Sequence, residues 1–165
     1  MHNYHIRLSG IKDGKHNYNF NIEKEFFESF KGTAIKDGSF NVNITLSKNI
    51  KHQELFLKID GNIFNMSCDI CGERLTVPIS SSFSMLIKES NTNELHTDKV
   101  YFILPNQYEL DSSQLIYESI IFSIPSKISH VKRNECNKTV IELTQKYSTK
   151  RTQQDPRWEL LNKIK

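Results

Sequence analysis

Two of the three cysteines in the 165-residue chain stand two positions apart, Cys68 and Cys71 in the stretch SCDICGERL. Thiols at that spacing can ligate a metal from a single turn, run thiol–disulfide exchange, or pack as small apolar groups. Exchange chemistry wants a thiol poised by a helix N-terminus or a cationic neighbour. This pair instead lies between two strand-like segments, flanked by Asp69 and Glu73, acids expected to raise a thiol pKa, with only Arg74 opposing them. For metal, a Cys-x-x-Cys turn closed by Gly72 is half of a site, because structural zinc takes four ligands in a tetrahedron. The remaining cysteine is Cys136, and His130 precedes it by six residues in HVKRNEC. Together they would complete a Cys-Cys-His-Cys set drawn from two distant segments. A histidine next to Lys132 and Arg133 equally suits a surface, so zinc and unliganded thiols both stand as readings.

No other constellation carries chemistry. There is no glycine-rich phosphate loop, no nucleophile elbow and no His-Glu-x-x-His helix. His2, His5, His16, His52 and His96 lie in polar or strand-edge surroundings without a common spacing. The expectation is a chain without catalytic residues and without a small-molecule substrate.

The elements that must present the thiols are strands. Phe40, Val42, Ile44 and Leu46 alternate strictly with polar residues, the pattern of a half-buried strand. Leu55, Leu57 and Ile59 repeat it, and Asp60-Gly61 predicts a turn or bulge before Ile63. Leu75, Val77 and Ile79 follow the cysteines, with Pro78 arguing for an edge. Val100–Leu104 is a further short strand, and the N-terminal MHNYHIRLSG also alternates. Glu23–Phe30 reads as a short helix stopped by Gly32, and Glu89–Lys99 as a mobile polar loop.

The last third turns helical. Asp111 with Gln114 has the spacing of a capping box before Leu115, Ile116, Ile120 and Ile124, and Pro125 ends that helix. Asn137 predicts the cap of a second helix carrying Val140, Ile141, Leu143 and Tyr147. Asp155-Pro156 opens a terminal helix anchored by Trp158. The fold class is therefore α+β, an antiparallel β-rich body of about five to seven strands with a helical C-terminal third. One domain is expected over residues 1–147, followed at 148–165 by a polar linker and the DPRW helix.

The formal net charge of +3 conceals a split. From Lys127 onward ten Lys or Arg oppose four Asp or Glu, so this part is +6 and the remainder is −3. A basic tail on a mildly acidic body suits a polyanion as well as a solvated face. No apolar run is long enough for a signal-peptide core or a membrane span, and an odd cysteine count does not make a disulfide framework. A cytoplasmic protein with reduced thiols and no membrane partner is expected.

Several features taken together resemble a known family: the β-rich first half, the CDIC turn, the strand LTVPI, an acidic polar insertion, VYFILP, the helix QLIYESIIFSIP, the SH…C segment and the terminal DPRWELLNKIK. From about Asn41 onward the chain is similar to the YceD family, the large ribosomal RNA subunit accumulation proteins, in the form found in Bacteroidetes-type bacteria. The resemblance implies a non-catalytic ribosome-biogenesis factor supporting synthesis, processing or stability of large-subunit (23S) ribosomal RNA. Its partner would be that RNA, a pre-ribosomal particle or a ribosomal protein. By family pattern Cys68 and Cys71 match the first ligand pair and His130 and Cys136 the second segment, which makes zinc the implied cofactor, with His130 in place of a thiol. Phosphate contacts would fall to Lys132, Arg133, Lys150, Arg151 and Arg157. A protein-interaction adaptor with a structural zinc and no RNA contact, and a thiol oxidoreductase, are the alternatives.

Overall fold

The computed structural model describes residues 4–50, 52–91, 97, 99–105 and 107–148. Alternating residues build a five-stranded sheet from β2 (Gly14–Ile22), β3 (Gly38–Lys48), β4 (Gln53–Ser67), β5 (Arg74–Glu89) and β6 (Val100–Ile103), in that spatial order. A separate antiparallel pair joins β1 (His5–Arg7) to β7 (Glu109–Asp111). Phe40, Val42, Ile44 and Leu46 of β3 and Leu55, Leu57 and Ile59 of β4 face one way and are buried, while Asn41, Asn43, Lys58 and Ser82 line the outer, wet face. Helix α1 (Lys24–Glu28) sets Phe26 and Phe27 on the inner face, and α2 (Ser113–Phe122) adds Leu115, Ile116 and Ile120. The ring of Phe30, two residues past α1, stacks on Tyr117 of α2 at 4.1 Å between centroids. The architecture is α+β, as the pattern predicted.

The details depart from the expectation at four points. First, β4 runs straight through Asp60-Gly61, and its irregularity falls between Ile63 and Met66, where Asn65 takes φ 58°. Gly61 serves a close approach instead: a β-carbon there would collide with the Ser39 carbonyl and the Phe40 ring. Second, β5 continues to Glu89 beyond the expected Ile79, because the serine run Ser80–Ser82 keeps strand geometry. Third, β6 pairs with β5 in parallel, Leu86 opposite Val100 and Glu89 opposite Ile103, within a sheet whose other pairs are antiparallel. Fourth, the capping box does not form. Asp111 Oδ1 accepts from the Ser113 N–H and hydroxyl at 2.9 and 2.7 Å, the N-cap residue is Ser112, and Gln114 bonds Glu118 instead.

Pro78 lies where β5 has β4 on one side, and β6 pairs only with Leu86–Glu89 at the far end, so the proline does occupy an edge stretch. Most of the loop expected over Glu89–Lys99 and all of the DPRW segment lie outside the described residues. Among the described residues no helix is long and apolar enough to cross a membrane.

Candidate metal centre

The hairpin between β4 and β5 closes on the last register pair, Ser67 with Arg74, and residues 68–73 form its tip. The Cys68 N–H donates to the Glu73 carbonyl at 2.8 Å and the Gly72 N–H to the Cys68 carbonyl at 2.8 Å. Gly72 takes φ 76°, a left-handed conformation that explains glycine directly after the second cysteine. The fold of the tip turns backbone N–H groups onto the Cys68 sulfur. Burial alone would push that thiol up, but N–H donors from Cys71, Ile70 and His130, with the Cys71 thiol, outweigh it and hold Cys68 at about 6.

Beyond α2 the chain returns to this tip. The Asp69 N–H donates to the Ile128 carbonyl at 2.7 Å, and the Ile128 N–H donates back to Asp69 Oδ2 at 2.6 Å. Nine residues later Asn137 Nδ2 donates to Glu73 Oε1 at 3.0 Å. The Asn137 side-chain oxygen also caps α3 (Lys138–Tyr147), accepting from the N–H groups of Thr139 and Val140 at 3.1 and 3.4 Å. Helix α3 then lays Val140 and Ile141 against the cysteines, which with Ile70 and Leu75 form a small apolar cluster that meets the main core at Leu75.

These two segments bring one ligand atom from each of Cys68, Cys71, His130 and Cys136 within 4.8 Å of all the others. The three cysteines are only 3, 7 and 4 % exposed and none forms a disulfide. His130 is half-buried, and its Nε2 is buried without a hydrogen-bond partner. A buried, orphaned ring nitrogen on a histidine that meets three cysteines is costly unless something satisfies it. The donor set thus fits a tetrahedral, thiolate-preferring cation such as zinc, with Nε2 free to ligate. Cys136 is pushed the other way, to about 11, by burial and then by Cys71 and Cys68 beside it. Without a cation the cluster holds a proton there that a metal would displace.

All four ligand residues expected from the sequence meet at one place. Of the basic residues, Lys132 is exposed on the returning segment and Arg133 opens the 3-10 turn Arg133–Glu135, while Lys150, Arg151 and Arg157 lie outside the described residues. The expectation that Asp69 and Glu73 would raise the neighbouring thiol is corrected. Both carboxylates turn to the returning segment, and the Cys68 sulfur sees backbone donors instead. Sequence reasoning missed the structural parts of Asp69 and Glu73 and the bond from Asn137 to Glu73, though it found the Asn137 cap; acids inside and just after a Cys-x-x-Cys turn were the available signal, but not their partners. A depressed thiol also suits exchange chemistry, yet the closed-off cysteines present little sulfur to a substrate disulfide.

No curated protein and no solved structure matches the chain. A family model described as "Large ribosomal RNA subunit accumulation protein YceD" matches residues 57–165, from the middle of β4 through the whole cysteine hairpin and the returning segment. With both halves of the centre inside that span, the chain belongs to the YceD family.

Proposed function

We propose that the protein is a non-catalytic ribosome-biogenesis factor that supports large-subunit ribosomal RNA, and that Cys68, Cys71, His130 and Cys136 bind a structural zinc. The single observation behind the zinc is the convergence of Cys68, Cys71, His130 and Cys136, with the His130 Nε2 buried and unpartnered. The RNA reading rests on the family's description together with the basic C-terminal part. Zinc supplies a redox-inert cross-link between hairpin and returning segment. Through Val140 and Ile141, packed on the cysteines, that cross-link holds α3, and α3 leads into Lys150, Arg151 and Arg157. Lys132, Arg133 and those three residues make phosphate contacts, which position a protein on RNA without reading its sequence.

Protein purified under reducing conditions should carry one zinc per chain, lost in Cys68→Ser and His130→Ala. Zinc-loaded protein should retain large-subunit ribosomal RNA in filter binding at low salt and release it as salt rises. Capture of a ribosomal protein that survives nuclease treatment, with no RNA retention, would replace the RNA reading by the adaptor. Metal-free protein under these conditions would remove the zinc.

A further inference from the structure

The zinc reading leaves two carboxylates that ligate nothing yet stand at both joints of the site. Asp69 follows the first ligand, Cys68, and its two hydrogen bonds to Ile128 grip the chain two residues before His130. Glu73 follows Cys71 by two residues, and its bond to Asn137 grips the chain directly after Cys136. Each half of the returning segment is therefore fastened next to the ligand it delivers, by bonds that need no metal.

We infer that Asp69 and Glu73 are positioning residues that close the metal site before the metal arrives, and that zinc affinity depends on these two latches. The inference rests on the zinc reading. The physical reason is the cost of order. Fixing a free loop into one conformation opposes binding, and a site whose distant ligands are already held loses less freedom when the cation enters. Asp69 forms a closed ring with Ile128, donor and acceptor on both sides, so it fixes orientation as well as distance. Glu73 works through Asn137, whose other side-chain atom caps α3, so the same amide joins the latch to the helix that covers the sulfurs.

The test is zinc affinity by competition with a chromophoric chelator, in wild type, Asp69→Ala, Glu73→Ala and the isosteric Asp69→Asn and Glu73→Gln. Outer partners of metal sites commonly control affinity by about 10- to 100-fold, and a loss of about tenfold or more is expected in each alanine variant. Asp69→Asn and Glu73→Gln keep an acceptor oxygen and should stay within about threefold of wild type. Melting of the chelator-stripped proteins should be alike in all five, since both carboxylates are exposed and neither side chain belongs to the main buried cluster. Alanine variants that bind zinc as tightly as wild type would overturn the latches, as would equal losses in the isosteric pair, which would point to charge alone. Wild type that takes up no zinc would instead overturn the metal reading beneath. Should Asp69→Ala melt early after stripping, Glu73→Ala carries the comparison.

Discussion

Cys68 and Cys136 lie in one cluster and titrate in opposite directions, because backbone N–H donors surround the first sulfur whereas the second has only burial and other thiols about it. In the metal-free protein Cys68 is held below the ordinary thiol value of roughly 8.5. Its contribution to stability is present above that value and is lost as pH falls through about 6. Cys136 is held above the ordinary value, so its contribution is whole at lower pH and is lost as pH rises through about 11. Chelator-stripped protein should therefore gain thermal stability between about pH 5 and about pH 8, and Cys68→Ser should flatten that limb. Thiolate absorbance should show a first step near 6 that the same variant removes. A wild type whose first thiolate step comes only above pH 8 would contradict the donor cage. The ligand types were legible because cysteine spacing survives in a linear sequence. The acids beside them were misread because charge proximity along the chain says nothing of orientation, and the fold turns Asp69 and Glu73 to partners 59 and 64 residues away.

At the scale of elements, the hairpin that carries the thiols depends on how closely β3 and β4 approach. Gly61 stands opposite Phe40, whose ring fills the place a β-carbon would take. Gly61→Ala should cost about 1–3 kcal/mol, the usual range for overpacking, because the nearest obstacle is the Ser39 backbone and cannot rotate away. Denaturant unfolding of the chelator-stripped protein should show this as a lower midpoint, and an unchanged midpoint would mean that the strands have room. Strands with strict alternation, β3 and the first part of β4, were readable, and so was the Asn137 cap of α3. What stayed hidden had weak local signals. Ser81 stands on an inward position of β5 that a polar residue should not hold, and its hydroxyl is satisfied by Ser123 at the end of α2, a partner 42 residues away. The parallel seat of β6 likewise follows from where the chain returns, which no periodicity records.

The whole molecule separates a sheet-and-helix core, with its own buried cluster from Ile6 to Ile120, from a cysteine cluster that binds α3 and leads to the C-terminus. Charge follows the same division. Residues after Ser148 carry five Lys or Arg and two Asp or Glu, so cutting there takes the formal net charge from +3 to zero. If RNA is held by this part, truncation after Ser148 should weaken retention of large-subunit ribosomal RNA at low salt and leave zinc content unchanged, because all four ligand residues remain. The salt dependence discriminates further. Each phosphate contact contributes about 0.7–0.9 to the slope of log affinity against log salt, so losing Lys150, Arg151 and Arg157 should reduce that slope by roughly 2–3. A Lys132→Ala variant of the full chain should lose roughly one contact's share. An unchanged slope on truncation would move the RNA contact to the returning segment around Lys132 and the 3-10 turn. The same truncation distinguishes zinc as an organiser of the tail from zinc as a brace for the core. An organiser predicts that chelation of the full chain lowers RNA affinity toward that of the truncated protein, whereas a brace predicts that chelation lowers the main melting transition first. The two clusters share no buried residue and meet at the half-buried Leu75, which favours the first outcome.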